Sequence, residues 1–232
     1  MLKILSNCLT FLLAGLAVAG LAACSDDDIP VTRVMDIDLG SNGFKMLKVT
    51  GMGTDYYIGL TEVTNGLWKA MMGSKPEGQS NDGDDYPVTM VSYEEITRKG
   101  GFLERLNRLV DSRGLTFMLP TQAEWQFAAR GGQRSRGYDY AGSNTVTDVA
   151  WFGGDSGGTA HPVATKRGNE IGIYDMSGGV WELTASSGAD GLSVCCGGAW
   201  SSPAGQCRIT STCSENLQGN GSSDIGFRLV LK

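Results

Sequence analysis

Apolar positions divide the chain into short alternating runs and two longer stretches with helical spacing. The first stretch, "SYEEITRKGGFLERLNRLVDSRG" (92–114), predicts a helix that is weakened at Gly100–Gly101 and ends at Gly114. Apolar residues recur every three or four positions in its second half, which predicts one buried face. That face consists of Phe102, Leu103, Leu106, Leu109 and Val110.

The second stretch, "LPTQAEWQFAARGG" (119–132), carries complete helix start and stop signals. Thr121 is a favourable N-cap, and Glu124 three residues later completes a capping box. Gly131 is placed to end the helix. The side chains predicted to face inward are Trp125, Ala128 and Ala129.

Two alternating runs, "YYIGLTEVT" (56–64) and "IGFRLVL" (225–231), predict β-strands. The 34 glycines predict many turns between such elements. The pattern therefore indicates one loop-rich α+β domain with short strands and two main helices. Large aromatic side chains are expected to anchor its core, namely Trp68, Trp125, Trp151, Trp181 and Trp200.

The N-terminus has the pattern of an export signal. A single early cation, Lys3, precedes an apolar run from Leu9 to Ala19 that is too short to span a membrane. The sequence "LAAC" that follows resembles the bacterial lipobox, in which the cysteine receives lipid. We therefore predict a lipoprotein signal peptide at 1–23, lipidation of Cys24, an acidic tether at 24–34 and the folded domain at 35–232.

The acidic stretch "SDDD" (25–28) directly follows the predicted lipidation site. It resembles the signal with which Bacteroidetes send lipoproteins to the outer face of the outer membrane. The expected location is thus the outer membrane, through the lipid anchor, with the domain exposed at the cell surface. The net charge of −6 and the absence of a basic run argue against nucleic acid as a partner.

Six motifs in the same order resemble those of the sulfatase-modifying factor family, the formylglycine-generating-enzyme-like domains. The resemblance covers roughly residues 44–232 and implies a C-type-lectin-like topology. The motifs are "YIGLTEVTNGLW" (57–68), "DYPVTMVSYEE" (85–95), "FMLPTQAEWQFAARGG" (117–132), "HPVATKRGNEIGIYDMSGGVWEL" (161–183), "GGAW" (197–200) and "IGFRLVL" (225–231).

The copper enzymes of this family hold Cu(I) between two cysteines five residues apart, just after the "GG" strand. In this chain those positions are Ser202 and Cys207. A serine hydroxyl is a poor Cu(I) ligand, so the resemblance favours a domain without catalysis and without a cofactor, which acts as a surface binding or envelope-assembly module. The alternative is an oxidase with a rearranged thiolate site that uses Cys207. The iron-dependent branch needs several histidines, whereas this chain has only His161.

The family also implies a structural calcium near its "SGNVWEW" motif. The corresponding segment here is "SGGVWEL" (177–183), in which Gly179 replaces the asparagine and removes a side-chain oxygen. Glu182 remains, so calcium near Glu182 stays possible.

The other cysteines of the domain are candidates for disulfides in an exported protein. If "CRITSTC" (207–213) is one extended strand, Cys207 and Cys213 lie roughly 20 Å apart, at about 3.3 Å per residue. A disulfide requires Cα atoms within about 7 Å. A bridge from Cys195 or Cys196 to one of them is therefore easier.

The segment 201–224 is rich in small polar residues and lies between two predicted core strands. Small polar side chains on a loop offer adaptable hydrogen bonds, so this segment is the candidate ligand-binding face for an unknown protein or glycan. Some family members diversify their terminal segment, which would suit such a face. The candidate residues are Ser201, Ser202, Gln206, Thr210, Thr212, Glu215, Asn216 and Asn220.

Overall fold

The computed structural model describes residues 34–79, 81, 83–188, 192–216 and 221–232. The predicted signal peptide, the lipidation site at Cys24, nearly all of the acidic tether and Asn220 lie outside these residues. No helix within the described ranges is long and apolar enough to cross a membrane.

The domain contains two β-sheets. The first has five strands in the order β1-β2-β3-β9-β4, and all of its neighbouring pairs are antiparallel. It therefore brings the chain's last strand between two early ones. Its strands are β1 (Val34–Ile37), β2 (Phe44–Val49), β3 (Tyr56–Gly59), β4 (Phe117–Met118) and β9 (Val230–Leu231).

The second sheet has four strands in the order β7-β6-β5-β8, with a parallel pair between β5 and β8. Its strands are β5 (Trp181–Ser187), β6 (Ser193–Cys196), β7 (Thr212–Glu215) and β8 (Ile225–Phe227). The prediction of one strand over 225–231 is wrong, because β8 and β9 belong to different sheets. The chain crosses between the sheets at Arg228, a fully buried residue.

The stretch 92–114 forms two helices, α2 (Tyr93–Thr97) and α3 (Phe102–Leu109), rather than one that continues to Gly114. The predicted weak point is confirmed, since Gly100 has a φ of 76° between them. A Cβ on Gly101 would lie 2.5 Å from the carbonyl oxygen of Glu95, so the close approach of the two segments requires glycine. The predicted burial of Leu109 is wrong, because that residue is 40% exposed.

Helix α4 (Gln122–Ala129) confirms the predicted capping box. The Thr121 hydroxyl accepts a hydrogen bond from the Glu124 N–H at 3.2 Å, and the Glu124 carboxylate accepts from the Thr121 N–H at 2.8 Å. Trp125, Ala128 and Ala129 are fully buried, as predicted.

Helix α1 (Asn65–Met72) begins directly after the predicted strand 56–64, of which only the first half is a strand. The strand ends at Gly59, and the Thr64 hydroxyl caps the helix by accepting from the Leu67 N–H at 3.3 Å. A fifth helix, α5 (Val146–Val149), and 3-10 turns at Gly132–Arg134 and Ala204–Cys207 complete the elements of the described ranges.

Aromatic rings join α1 and α3 to the second sheet. Trp68 stacks on Phe102 with 5.3 Å between ring centroids, and both rings meet Phe227 edge-on. Such pairs add about 0.5–1.5 kcal/mol each beyond the burial of area. Of the five predicted tryptophan anchors, Trp68, Trp125 and Trp181 are buried, whereas Trp151 and Trp200 are partly exposed.

Candidate functional site

The turn after β6 contains both positions of the candidate copper site. Gly197 and Gly198 follow the strand with φ values of 97° and 78° and direct the chain toward Ala199. A Cβ on Gly198 would lie 2.8 Å from the Cys207 Sγ, so glycine is needed for this thiol to pack against the turn. The turn and the thiol thus occupy one tightly packed region.

Ser202 is buried, which corrects the expectation that it is an exposed ligand-contacting residue. Its hydroxyl accepts from the Ala199 N–H at 3.0 Å, and its own N–H donates to the Ala199 carbonyl at 2.9 Å. Its carbonyl accepts from the Gly153 N–H at 2.8 Å. The side chain and backbone of Ser202 therefore hold the turn together.

Cys207 is also buried, at the end of the 3-10 turn, and belongs to a small cluster with Tyr140 and Val149. Burial raises the pKa of its thiol to about 12. The thiol is therefore protonated at neutral pH, whereas copper coordination uses the thiolate. The described residues include no group of three or more His, Cys, Asp or Glu side chains arranged to hold a metal ion.

The loop 151–161 packs against this turn. The Ser156 hydroxyl donates to the Trp200 carbonyl at 2.8 Å. His161 stacks on Trp151 with ring centroids 3.7 Å apart, and its Nε2 lies 2.8 Å from the Ser156 carbonyl oxygen. These contacts give the single histidine of the chain a packing role in the loop.

Glu182 does not fit the calcium site that the family resemblance implies. Its Oε2 accepts from the Trp125 Nε1–H at 2.6 Å and from the Arg228 Nε–H at 2.7 Å. Its Oε1 accepts from the Arg228 Nη2–H at 2.6 Å. All of these side chains are buried, so both carboxylate oxygens are already engaged by an arginine and an indole.

The described candidate ligand-binding residues other than Ser202 are exposed: Ser201, Gln206, Thr210, Thr212, Glu215 and Asn216. They do not form one continuous face. Thr212 lies opposite Cys196 and Glu215 opposite Ser193 in the β6–β7 ladder, so these two side chains point to opposite faces of the strand. Ser201 lies apart from them, and its hydroxyl donates to the Asp224 carboxylate at 2.7 Å.

Thr210 lines a shallow cleft of about 240 Å³ between the segment 135–139 and the chain after the 3-10 turn. Arg208 forms an ion pair with Asp139 at 3.0 Å across this cleft, and the Ile209 N–H donates to the Asp139 carbonyl at 3.0 Å. The segment 135–139 therefore shares a surface with part of the predicted face. The sequence analysis missed the segment 135–139, because no sequence pattern connects it with the predicted face at 201–224.

Cys195 lies directly opposite Cys213 in the β6–β7 ladder, and both thiols are free. The condition of one extended strand over 207–213 is not met, because Cys207 ends a 3-10 turn and β7 begins only at Thr212. The position of Cys195 opposite Cys213 agrees with the expectation that a bridge from Cys195 or Cys196 forms more easily than one between Cys207 and Cys213.

A buried charged cluster is the main feature that the sequence interpretation missed. It contains three carboxylates, Glu62, Asp175 and Glu182, and one cation, Arg228. The signal was present, since Glu62 and Arg228 each interrupt an apolar run, in "GLTEVT" and "GFRLV". A charged residue inside a core strand pattern indicates a buried partner.

The model of the sulfatase-modifying factor enzyme 1-like domain matches residues 33–232. The chain is 29% identical to a protein named chaperone protein LppX from Paenibacillus barcinonensis, over 96% of this chain and 98% of that protein. It is 33% identical to the inactive C-alpha-formylglycine-generating enzyme 2 of Bos taurus, over 47% of this chain and 42% of that protein.

Similarity also extends to a protein named as an enzyme and to a solved structure. The formylglycine-generating enzyme of Thermomonospora curvata is 30% identical over 53% of this chain and 40% of that protein. The structure of Treponema denticola variable protein 1 superposes with a TM-score of 0.70 and 25% identity, covering 85% of this chain and 98% of that one.

Proposed function

Because the chain belongs to the sulfatase-modifying factor family, we propose that it is a non-catalytic member, a lipid-anchored module that binds another macromolecule at the cell envelope. The state of Ser202 and Cys207 carries this proposal. One position of the copper pair is a buried serine committed to a turn, and only the other is a cysteine. This pair lacks the two thiolates that Cu(I) requires.

Two relatives support a binding role. The relative that matches nearly the whole chain is named a chaperone, and another carries the word inactive in its name. A chaperone works by holding a polypeptide, so the partner we propose is a protein. Outer-membrane attachment through Cys24 and surface exposure through "SDDD" (25–28) are parts of the same proposal, supported by the sequence pattern alone.

The catalytic question is tested with purified protein, Cu(I) and a cysteine-containing sulfatase peptide. We expect no aldehyde product, as measured by mass spectrometry of the peptide. Turnover that disappears in Cys207→Ser would overturn the proposal and establish the alternative, an oxidase with a rearranged thiolate site.

The binding role is tested by the aggregation of an unfolded exported polypeptide, followed by light scattering. We expect the protein to suppress aggregation at a stoichiometric ratio, and an unrelated acidic protein of similar size serves as the control. Suppression no greater than that of the control would count against the binding role.

Anchoring is tested by metabolic labelling with a fatty acid. We expect label in the wild type and none in Cys24→Ala. Replacement of Asp26, Asp27 and Asp28 by alanine should protect the domain from protease added to whole cells. Label that persists in Cys24→Ala, or unchanged protease sensitivity of the triple variant, would contradict the corresponding part of the proposal.

We further propose that the segment 201–224 contributes to the binding face, together with the neighbouring segment 135–139. The likeness to a solved structure named a variable protein supports a diversified terminal segment. Sequencing the locus in several isolates tests this. Substitutions concentrated at exposed residues such as Gln206, Thr210 and Thr212 support it, whereas an even spread along the chain contradicts it.

A further inference from the structure

A cleft of about 450 Å³ opens between the start of β2, the segment 59–67 and the loop at 163–164. It is separate from the proposed binding face, since none of the described residues of 201–224 lines it. Its walls are largely apolar and include Phe44, Leu60, Val163 and Leu229. At the exposed rim lie Asp84, which is paired with Lys75 at 3.4 Å, Asp85, and Lys45, which is paired with Asp36 at 3.6 Å.

Glu62 forms part of the lining of this cleft and is only 4% exposed. Its Oε2 has no hydrogen-bond partner among the described residues. Burying such an oxygen without a donor is costly, and most buried carboxylate oxygens are satisfied. A Cβ on Gly179 would lie 2.6 Å from the Glu62 Oε1, so glycine at 179 is what allows the carboxylate to lie here.

The surroundings of Glu62 are short of positive charge. Asp175 is buried beside it, and burial together with the neighbouring carboxylates raises the pKa of both carboxyls. Arg228 is committed to Glu182 by two hydrogen bonds and to the carbonyls of Gly59 and Tyr174. The Glu62–Asp175 pair therefore carries a net negative charge that the described cation beside it does not neutralise.

We propose that this cleft binds a primary alkylammonium group, with the ammonium donating to the Glu62 Oε2 and the alkyl chain lying along the apolar walls. An ammonium supplies both the missing donor and the missing positive charge, and charge-assisted hydrogen bonds are the stronger ones. The carboxylates at the rim disfavour an anion. The same chemistry occurs in a lysine side chain of a bound protein and in a free diamine.

The test is titration of the full chain with 1,5-diaminopentane and with Nα-acetyl-lysine N-methylamide, followed by calorimetry and by amide NMR of Ala164 and Leu229. We expect binding to shift both amides, and 1,5-pentanediol, the neutral analogue, to bind at least about tenfold more weakly. Binding of the lysine derivative alone assigns the cleft to a protein lysine, and binding of the diamine alone assigns it to a free amine.

Glu62→Gln should weaken amine binding by at least about tenfold. Glu170→Gln is the matched control, because the Oε2 of Glu170 also lacks a partner but Glu170 does not line the cleft. Should Glu62→Gln fail to fold, Val163→Trp, which fills the cleft from a partly buried position, is expected to abolish binding.

Three results would overturn the proposal. They are equal binding of the diol and the diamine, full binding by Glu62→Gln, and no binding of either amine at millimolar concentration. Failure here leaves the proposed non-catalytic role untouched, because the copper assay reports on a different part of the molecule.

Discussion

Glu182 and Arg228 form a bidentate ion pair with both side chains completely buried. The pair connects β5 to the point where the chain leaves β8 and enters β9, and so it joins the two sheets. Two further hydrogen bonds connect Arg228 to the carbonyl of Gly59, in the first sheet, and to the carbonyl of Tyr174.

Arg228→Met should lower the free energy of unfolding by about 3–5 kcal/mol, because it leaves a buried carboxylate without its cation. The matched control is Arg108→Met, which breaks an ion pair with Glu104 in which the Arg108 side chain is 73% exposed. The control should cost less than about 1 kcal/mol. Both values are measured by urea denaturation.

The double variant Glu182→Gln, Arg228→Met should cost clearly less than the sum of the two single changes, because neither position then leaves the other as an unpaired charge. Additive costs would mean that the two groups contribute to stability independently and would contradict the importance of the pair.

Glu62 should make the stability of the domain fall as the pH rises. Burial, together with the charges of Asp175 and Glu182, raises the pKa of Glu62 well above its ordinary value of 4.5. The folded state then keeps a proton that the unfolded chain releases above that value, so the free energy of unfolding falls with increasing pH. Glu62→Gln removes this proton, and its stability should fall less steeply as the pH rises above the ordinary pKa of a glutamate.

Glu124 provides a comparison of opposite sign. Partial burial raises its pKa, but hydrogen bonds from Lys232 and Thr121 outweigh burial and lower it overall. Its contribution is present above the ordinary pKa and is lost as the pH falls. Glu124→Gln should therefore lower the free energy of unfolding at neutral pH and have little effect on it in acid. Parallel pH profiles of wild type and Glu62→Gln would contradict the assignment of the raised pKa to Glu62.

Cys195 and Cys213 should form the disulfide of the oxidised domain. They lie opposite each other on adjacent antiparallel strands, where Cα atoms are separated by about 4.5–5.5 Å, within the range of disulfides. Exchange with oxidised glutathione transfers two electrons to its disulfide and releases two protons from the thiols. Peptide mapping without reduction should show this bridge in the wild type and in Cys196→Ser but not in Cys213→Ser. A bridge that involves Cys207 would contradict this pairing.

Local signals explain which parts of the fold were predictable. The capping box of Thr121 and Glu124 depends only on residues three apart, and the break at Gly100 depends on one backbone angle, so sequence alone identifies both. The division of "IGFRLVL" into two strands depends instead on Arg228 reaching Glu182, a contact between residues far apart in the chain. Alternation along a strand carries no information about which sheet each half joins.

In the candidate site, too, features that depend on residue type were predictable and features that depend on contacts between distant residues were not. The family motif placed Ser202 and Cys207 at the copper positions, and the missing thiolate follows from residue type alone. The burial of Ser202 was not predictable, because it depends on a contact with Gly153 from a distant loop. The unsatisfied oxygen of Glu62 is likewise a property of the packed structure.

Ser202→Cys should create a Cu(I) site. The Ser202 Oγ lies 3.0 Å from the Ala199 nitrogen, and the Cys207 Sγ packs against the adjacent Gly198, so the two side chains meet at the same peptide. A second thiol at 202 would supply the soft ligand that serine lacks, and Cu(I) would lower the pKa of the Cys207 thiol by binding its thiolate. Competition with a coloured Cu(I) chelator should show one tightly bound equivalent in Ser202→Cys. The wild type and the double variant Ser202→Cys, Cys207→Ser should bind none.

Ser202→Ala measures the structural cost of the change alone, about 1–3 kcal/mol for the unsatisfied Ala199 N–H. If Ser202→Cys folds but binds no more Cu(I) than the double variant, the turn has lost the geometry of the copper site as well as its ligand.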